Sequence, residues 1–155
     1  MRATLLILCL ACSAPTSAED SWWQFLGPHG NGHTDSEGLP LTWSETKNVL
    51  WKTVIHDRGW SSPVIAGDKI WMTPATADGH KLYAVCVHKH SGNILHDLHL
   101  FDVANPQKIT KANTYAPPTP VVKDGCVVVH FGTYGTACLN SETGQEIWRR
   151  RDLNC

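Results

Sequence analysis

A chain of 155 residues that is 42% hydrophobic and carries a formal net charge of −1 is sized for one ordinary domain with its own core. That balance excludes the basic footprint that nucleic acid or an anionic membrane surface requires. Seven tryptophans, spread from Trp22 to Trp148 rather than clustered, point to a structural unit used more than once.

Residues 1–18 stand apart from the rest. Arg2 gives a short basic start, Leu5 to Cys12 is an apolar run, and Ser13 to Ala18 brings small residues up to Glu19. This is the layout of a cleavable secretory signal peptide, cut after Ala18, and the run is too short for a permanent anchor. An exported protein, periplasmic or secreted and without a membrane span, is expected. Cleavage removes Arg2, so the 13 Lys and Arg become 12 against 14 Asp and Glu, about −2.

Residues 19–41 form a lead-in loop. Gly27, Gly30 and Gly32 fall within it, but no strand precedes them and no helix follows, so a phosphate-binding loop is not indicated. Residues 42–155 read as strands. Alternating runs lie near Pro63–Ala66, Lys69–Thr73, Leu82–Val87 and Asn93–Leu98, and again near Pro120–Lys123, Cys126–Phe131, Thr136–Leu139 and Gln145–Arg150. Gly67-Asp68 and Asp124-Gly125 are two-residue hairpin turns.

The two sets of four match one another. His88–His96 lies on Asn140–Trp148 at an offset of 52, putting Gly92 on Gly144 and Ser91 on Thr143. Ser62–Met72 lies on Thr119–Val129 at an offset of 57. A third, partial copy is Ser44–Trp51, which repeats Ser141–Trp148. Four short antiparallel strands in about fifty residues is the size of a propeller blade, which buries its faces only by stacking on neighbours. The predicted fold is therefore all-β: a partial β-propeller with an outer strand at about 48–54 and blades at about 60–100 and 115–151. The repeat's structural residues are Trp51, Gly92, Thr143, Gly144 and Trp148. The Thr143-Gly144 turn aims Trp148 to wedge between blades, and His96 stands in that tryptophan's place in the first unit.

Ala137 to Trp148 resembles the tryptophan-docking repeat of quinoprotein-type, PQQ-like propellers, with Asn140 where Asp is usual. Trp22 to Pro28 is similar to the Trp-x-Gln-Phe-x-Gly-Pro opening of exported bacterial PQQ-like repeat proteins. The resemblance implies a non-enzymatic, BamB-like scaffold or recognition module of the cell envelope, needing no cofactor and holding a protein or a glycan through its loops. The alternative it implies is a dehydrogenase of alcohols or sugars using pyrroloquinoline quinone (PQQ) with Ca²⁺. Two and a half units cannot close a ring of four to eight blades, so the remaining blades are expected in a C-terminal continuation.

No catalytic or metal-ligating residue is assigned. Arg58 and Trp60, with Asn113 and Tyr115, precede the first strands of the two units and are the candidate surface at the channel mouth. His88, His90, His96 and His99 read as solvated turn histidines rather than a Zn²⁺ or Cu²⁺ site. Arg149 to Arg151 reads as a solvated strand end. Cys86 and Cys138 read as small buried hydrophobes, with the pairing of Cys126 and Cys155 open.

Overall fold

In the computed structural model, residues 21–153 are described; the signal-peptide reading and Cys155 lie outside them. The chain forms two four-stranded antiparallel sheets in plain sequence order. The first contains β1 (Val64–Ala66), β2 (Lys69–Met72), β3 (Lys81–His88) and β4 (Ile94–Asp102). The second contains β5 (Val121–Lys123), β6 (Cys126–His130), β7 (Thr136–Asn140) and β8 (Glu146–Arg150), with a short 3₁₀ turn at Gly132–Tyr134. No helix among the described residues is long and apolar enough to cross a membrane.

Local chemistry accounts for the hairpins. Asp124 and Gly125 both take left-handed backbone, φ 49° and 75°, as a tight two-residue turn requires. At the β7–β8 turn, Asn140 Oδ1 accepts the N–H groups of Glu142 and Thr143, both at 2.9 Å. Asn therefore does here what the expected Asp would do. In the first sheet His88 fills the same post, its Nδ1 lying 2.9 Å from Ser91 Oγ and 3.2 Å from Ser91 N.

Period-2 alternation then sets the core. Trp71 lies opposite Val64 and Cys86 on one face of the first sheet. Leu82, Ala84 and Cys86 of β3 share one buried cluster with Val122, Val127, Val129, Ala137 and Leu139 of the second sheet. Phe101 and Phe131 meet edge to face at 5.9 Å within it. Further ties join the strand edges. Trp22 bridges to Ile65, and the Trp23 carbonyl accepts Val122 N–H at 2.9 Å, so the lead-in is anchored to both sheets.

Two readings are corrected by the register. Cys138 is buried but not a free hydrophobe: Cys126 and Cys138 sit diagonally on one face of β6 and β7, their Cα atoms 6.0 Å apart, and form a disulfide. Among the described residues Cys86 is the free, buried thiol, and burial pushes its pKa up to about 12. The arginine run is not simply solvated either. Arg149 Nη1 donates to the Leu100 carbonyl at 2.9 Å and Arg151 Nη2 to that of Asp102 at 3.0 Å. Both guanidinium groups lie over the Phe101 ring, at 5.2 and 5.1 Å. Alternation sends the middle residue, Arg150, the other way, to Asp152.

Candidate functional site

The repeat residues hold neighbouring units together by one recurring contact. Trp51 lies against Gly92, where an added Cβ would come within 2.7 Å of the indole, and its Nε1 donates to the Lys89 carbonyl at 2.8 Å. Thr53 Oγ1 adds a hydrogen bond to the Gly92 carbonyl. One unit on, the His96 ring covers Gly144, where a Cβ would come within 3.0 Å, and Nε2 donates to the Glu142 carbonyl at 3.0 Å. His96 thus keeps the tryptophan's seat, stacked on Trp71 at 5.6 Å. A β-bulge precedes two of the docking residues: Leu95 is the unpaired extra residue before His96, and Ile147 before Trp148. Such a bulge re-aims the side chain that follows it. Trp148 is 42% exposed.

This framework positions the predicted mouth residues. The backbone of Arg58 exchanges hydrogen bonds with Ala75, at 3.1 and 2.8 Å, and Trp60 N donates to the Ala116 carbonyl at 3.1 Å. Between them Gly59 runs so close to the chain just after β2 that a Cβ would strike the Thr73 carbonyl oxygen. The backbone is pinned while the side chains of Arg58 and Trp60 stay outside, Trp60 with 64% of its surface exposed. Opposite them, the linker between the sheets turns at Thr110–Asn113, and Asn113 Oδ1 accepts Thr114 N–H at 2.8 Å.

The result is a cleft of about 330 Å³ lined by Asp57, Arg58, Trp60, Lys111, Asn113 and Thr114. A second cleft of about 290 Å³ adjoins it, sharing Asn113 and Thr114 and continuing over Tyr115 and Tyr134. Both phenol groups are fixed through Gln107: Tyr115 Oη donates to its carbonyl at 2.9 Å, and Tyr134 Oη accepts its N–H at 2.8 Å. Arg58, Trp60 and Asn113 therefore line one cleft, while Tyr115 belongs to the neighbouring one. Lys111 and Tyr134 escaped the reading of the sequence. Only the proximity of Lys111 to Asn113 could have suggested it.

The carboxylate in the first cleft is already engaged. His56 is bracketed by Asp57 at 2.7 Å and Asp97 at 3.0 Å, with its ring edge-on to Tyr83 at 4.7 Å. This clasp ties the segment after Trp51 to β4. Hydrogen bonding to Asp97, then to Asp57, outweighs burial and raises the His56 pKa above its ordinary 6.5. A raised folded-state pKa gives stability that is full below the unfolded value and is lost as pH rises through the folded one. The thermal midpoint should therefore fall as pH climbs from about 6 to 8, and His56→Gln should flatten that slope. The clasp is 36% exposed at His56, so its contribution is under about 1 kcal/mol. Identical slopes in both proteins would remove His56 from the account.

The four histidines weighed as metal ligands have separate hydrogen-bond partners: His90 with Asp68 at 3.1 Å and His99 with Asp102 at 3.2 Å, besides His88 with Ser91 and His96 with Glu142. Among the described residues no three His, Cys, Asp or Glu side chains group as a metal site. No protein-family model matches the chain, and no curated protein matches it.

Proposed function

We propose that the two sheets are consecutive blades of a PQQ-like β-propeller, and that the protein is an exported, non-enzymatic recognition or scaffold module of the bacterial envelope. One observation carries the reading: the docking residue of one unit rests on the turn glycine of the next, Trp51 on Gly92 and His96 on Gly144. A sandwich of two unrelated sheets has no reason to repeat that contact at the same turn glycine.

By the same rule Trp148 takes the turn glycine of a further blade. Asn48–Val54, which has no ladder partner among the described residues, is the outer strand of another. The signal-peptide layout of residues 1–18 supports export. The clefts beside Trp60 and Tyr115 present cations, an amide and aromatic faces on a pinned backbone, equipment for holding a protein or a glycan rather than transforming it.

The test is a binding screen of immobilised glycans and envelope proteins against the full chain and a Trp60→Ala variant, run beside a PQQ and Ca²⁺ titration with an artificial electron acceptor. Retention by the parent that drops at least tenfold in the variant supports recognition. Saturable PQQ uptake with dye reduction by an alcohol or a sugar would falsify the non-enzymatic reading.

A further inference from the structure

We propose that the two adjoining clefts bind an acidic oligosaccharide, one sugar ring stacking on Trp60 with its carboxylate between Arg58 and Lys111, and the chain running on over Tyr115 and Tyr134. The inference rests on the recognition reading above and names its ligand class, but it does not require the ring of blades to close.

Three features of the first cleft select this chemistry. Trp60 offers a broad, rigid, largely exposed indole, a flat apolar surface that suits the C–H face of a pyranose. Arg58 and Lys111 line the same cleft, and among the described residues neither charged group has a hydrogen-bonding or ionic partner. Asp57, the one carboxylate lining it, is hydrogen-bonded to His56 and is outnumbered by the two cations, so the charge lining the cleft is net positive. A planar guanidinium is suited to bidentate recognition of a carboxylate.

Hydroxyl recognition comes from the shared wall. Asn113 uses Oδ1 on Thr114 N–H, which leaves its amide N–H groups to donate. Thr114 Oγ1 accepts Ala116 N–H at 3.3 Å, which leaves its own hydrogen to donate. Both residues line both clefts, so the surface has at least two successive subsites, the arrangement that an oligomer rather than a single sugar occupies. The second subsite is preorganised. The Tyr115 ring lies against Gly79, where a Cβ would come within 2.7 Å, and both phenol oxygens are held by Gln107. Aromatic groups fixed before binding lose little freedom when a ligand arrives. An acidic peptide would satisfy the cations but would leave the indole face and the repeated amide and hydroxyl donors without a matching pattern.

The experiment is calorimetric titration of the full chain with tetragalacturonic acid, maltotetraose and tetraglutamate, in low salt and again with added NaCl. Tetragalacturonic acid should bind at least tenfold tighter than either other probe and weaken as salt screens the cations. Trp60→Ala should lose tenfold or more. A variant with both Arg58→Gln and Lys111→Gln should bind the acidic and neutral tetramers alike. Lys123→Gln, an exposed lysine on β5, should change nothing. All substituted side chains are exposed, and an unchanged thermal midpoint verifies that each variant is folded.

Equal binding of maltotetraose by the parent would overturn the acidic assignment while leaving glycan recognition standing. Tighter binding of tetraglutamate would replace the sugar by an acidic peptide. Silence toward all three probes would overturn the inference, while the binding screen above still judges recognition separately.

Discussion

Trp71→Ala should destabilise the protein by about 3–5 kcal/mol, the range for emptying the site of a large buried aromatic. Trp71 is 0% exposed and heads the fully buried side chains by size. It faces Val64 and Cys86 within its own sheet, and it is the shelf on which His96 stacks, 17° from parallel. Truncation therefore opens a cavity in the cluster shared by both sheets and loosens the residue that docks the first onto the second. Against a typical total of 5–15 kcal/mol, a loss of that size populates the unfolded state or comes close to it.

A second substitution at the same site separates shape from chemistry. The Trp71 indole nitrogen is buried without a hydrogen-bond partner, and such an orphan donor costs about 1–3 kcal/mol. Trp71→Phe keeps an aromatic shelf and removes the orphan, so it should cost less than half of what Ala costs. Urea unfolding followed by circular dichroism measures both. A Trp71→Ala protein within about 1 kcal/mol of the parent would mean that the shared core is not organised around this residue.

The next largest effect is expected at Gly92, in the turn where Trp51 docks. Gly92 and Gly125 hold nearly the same left-handed backbone, φ 73° and 75°. A Cβ at Gly125 would meet nothing within 4 Å, whereas at Gly92 it would lie 2.7 Å from the Trp51 ring and 2.8 Å from Thr53 Oγ1. Both alanine variants bear the roughly 1–2 kcal/mol that a left-handed L-residue costs. Gly92→Ala also displaces Trp51 and its bond to Lys89, so it should lose about 1–2 kcal/mol more, the scale of one hydrogen bond and its packing. The difference between the two denaturation midpoints isolates docking from backbone strain. Limited proteolysis gives an independent readout, with cleavage within Trp51–Val54 accelerating only in Gly92→Ala. Equal midpoints and equal cleavage would remove docking as the force that joins the units.

Much of the fold could be read locally. The eight strands fall where alternating apolar runs between Gly-containing turns place them, because period-2 burial and positive-φ turns are written within a few residues. β4 runs on to Asp102, further than its expected limit at Leu98, since pairing with β3 and contact with the second sheet extend it. The repeat was also legible. Comparing residues 88–96 with 140–148 singled out Gly92, Gly144 and His96, and the partial copy at 44–51 added Trp51; these are the residues that meet across units.

The site was legible in part. Arg58, Trp60 and Asn113 converge in one cleft because equivalent lead-ins of neighbouring units emerge side by side. Lys111 and Tyr134 stayed hidden because nothing in the chain near them marks where the linker folds back.

Strand spacing and turn chemistry in the sequence thus determined an all-β chain of two four-stranded units, since each depends on residues close together in the chain. Tertiary structure decided the rest. It paired Cys138 with Cys126, laid Arg149 and Arg151 on Phe101, gave His96 a tryptophan's seat, and brought Lys111 across from Trp60. Those outcomes depend on strand register and on how one sheet packs against the next, relations between residues far apart in the chain that no local pattern encodes.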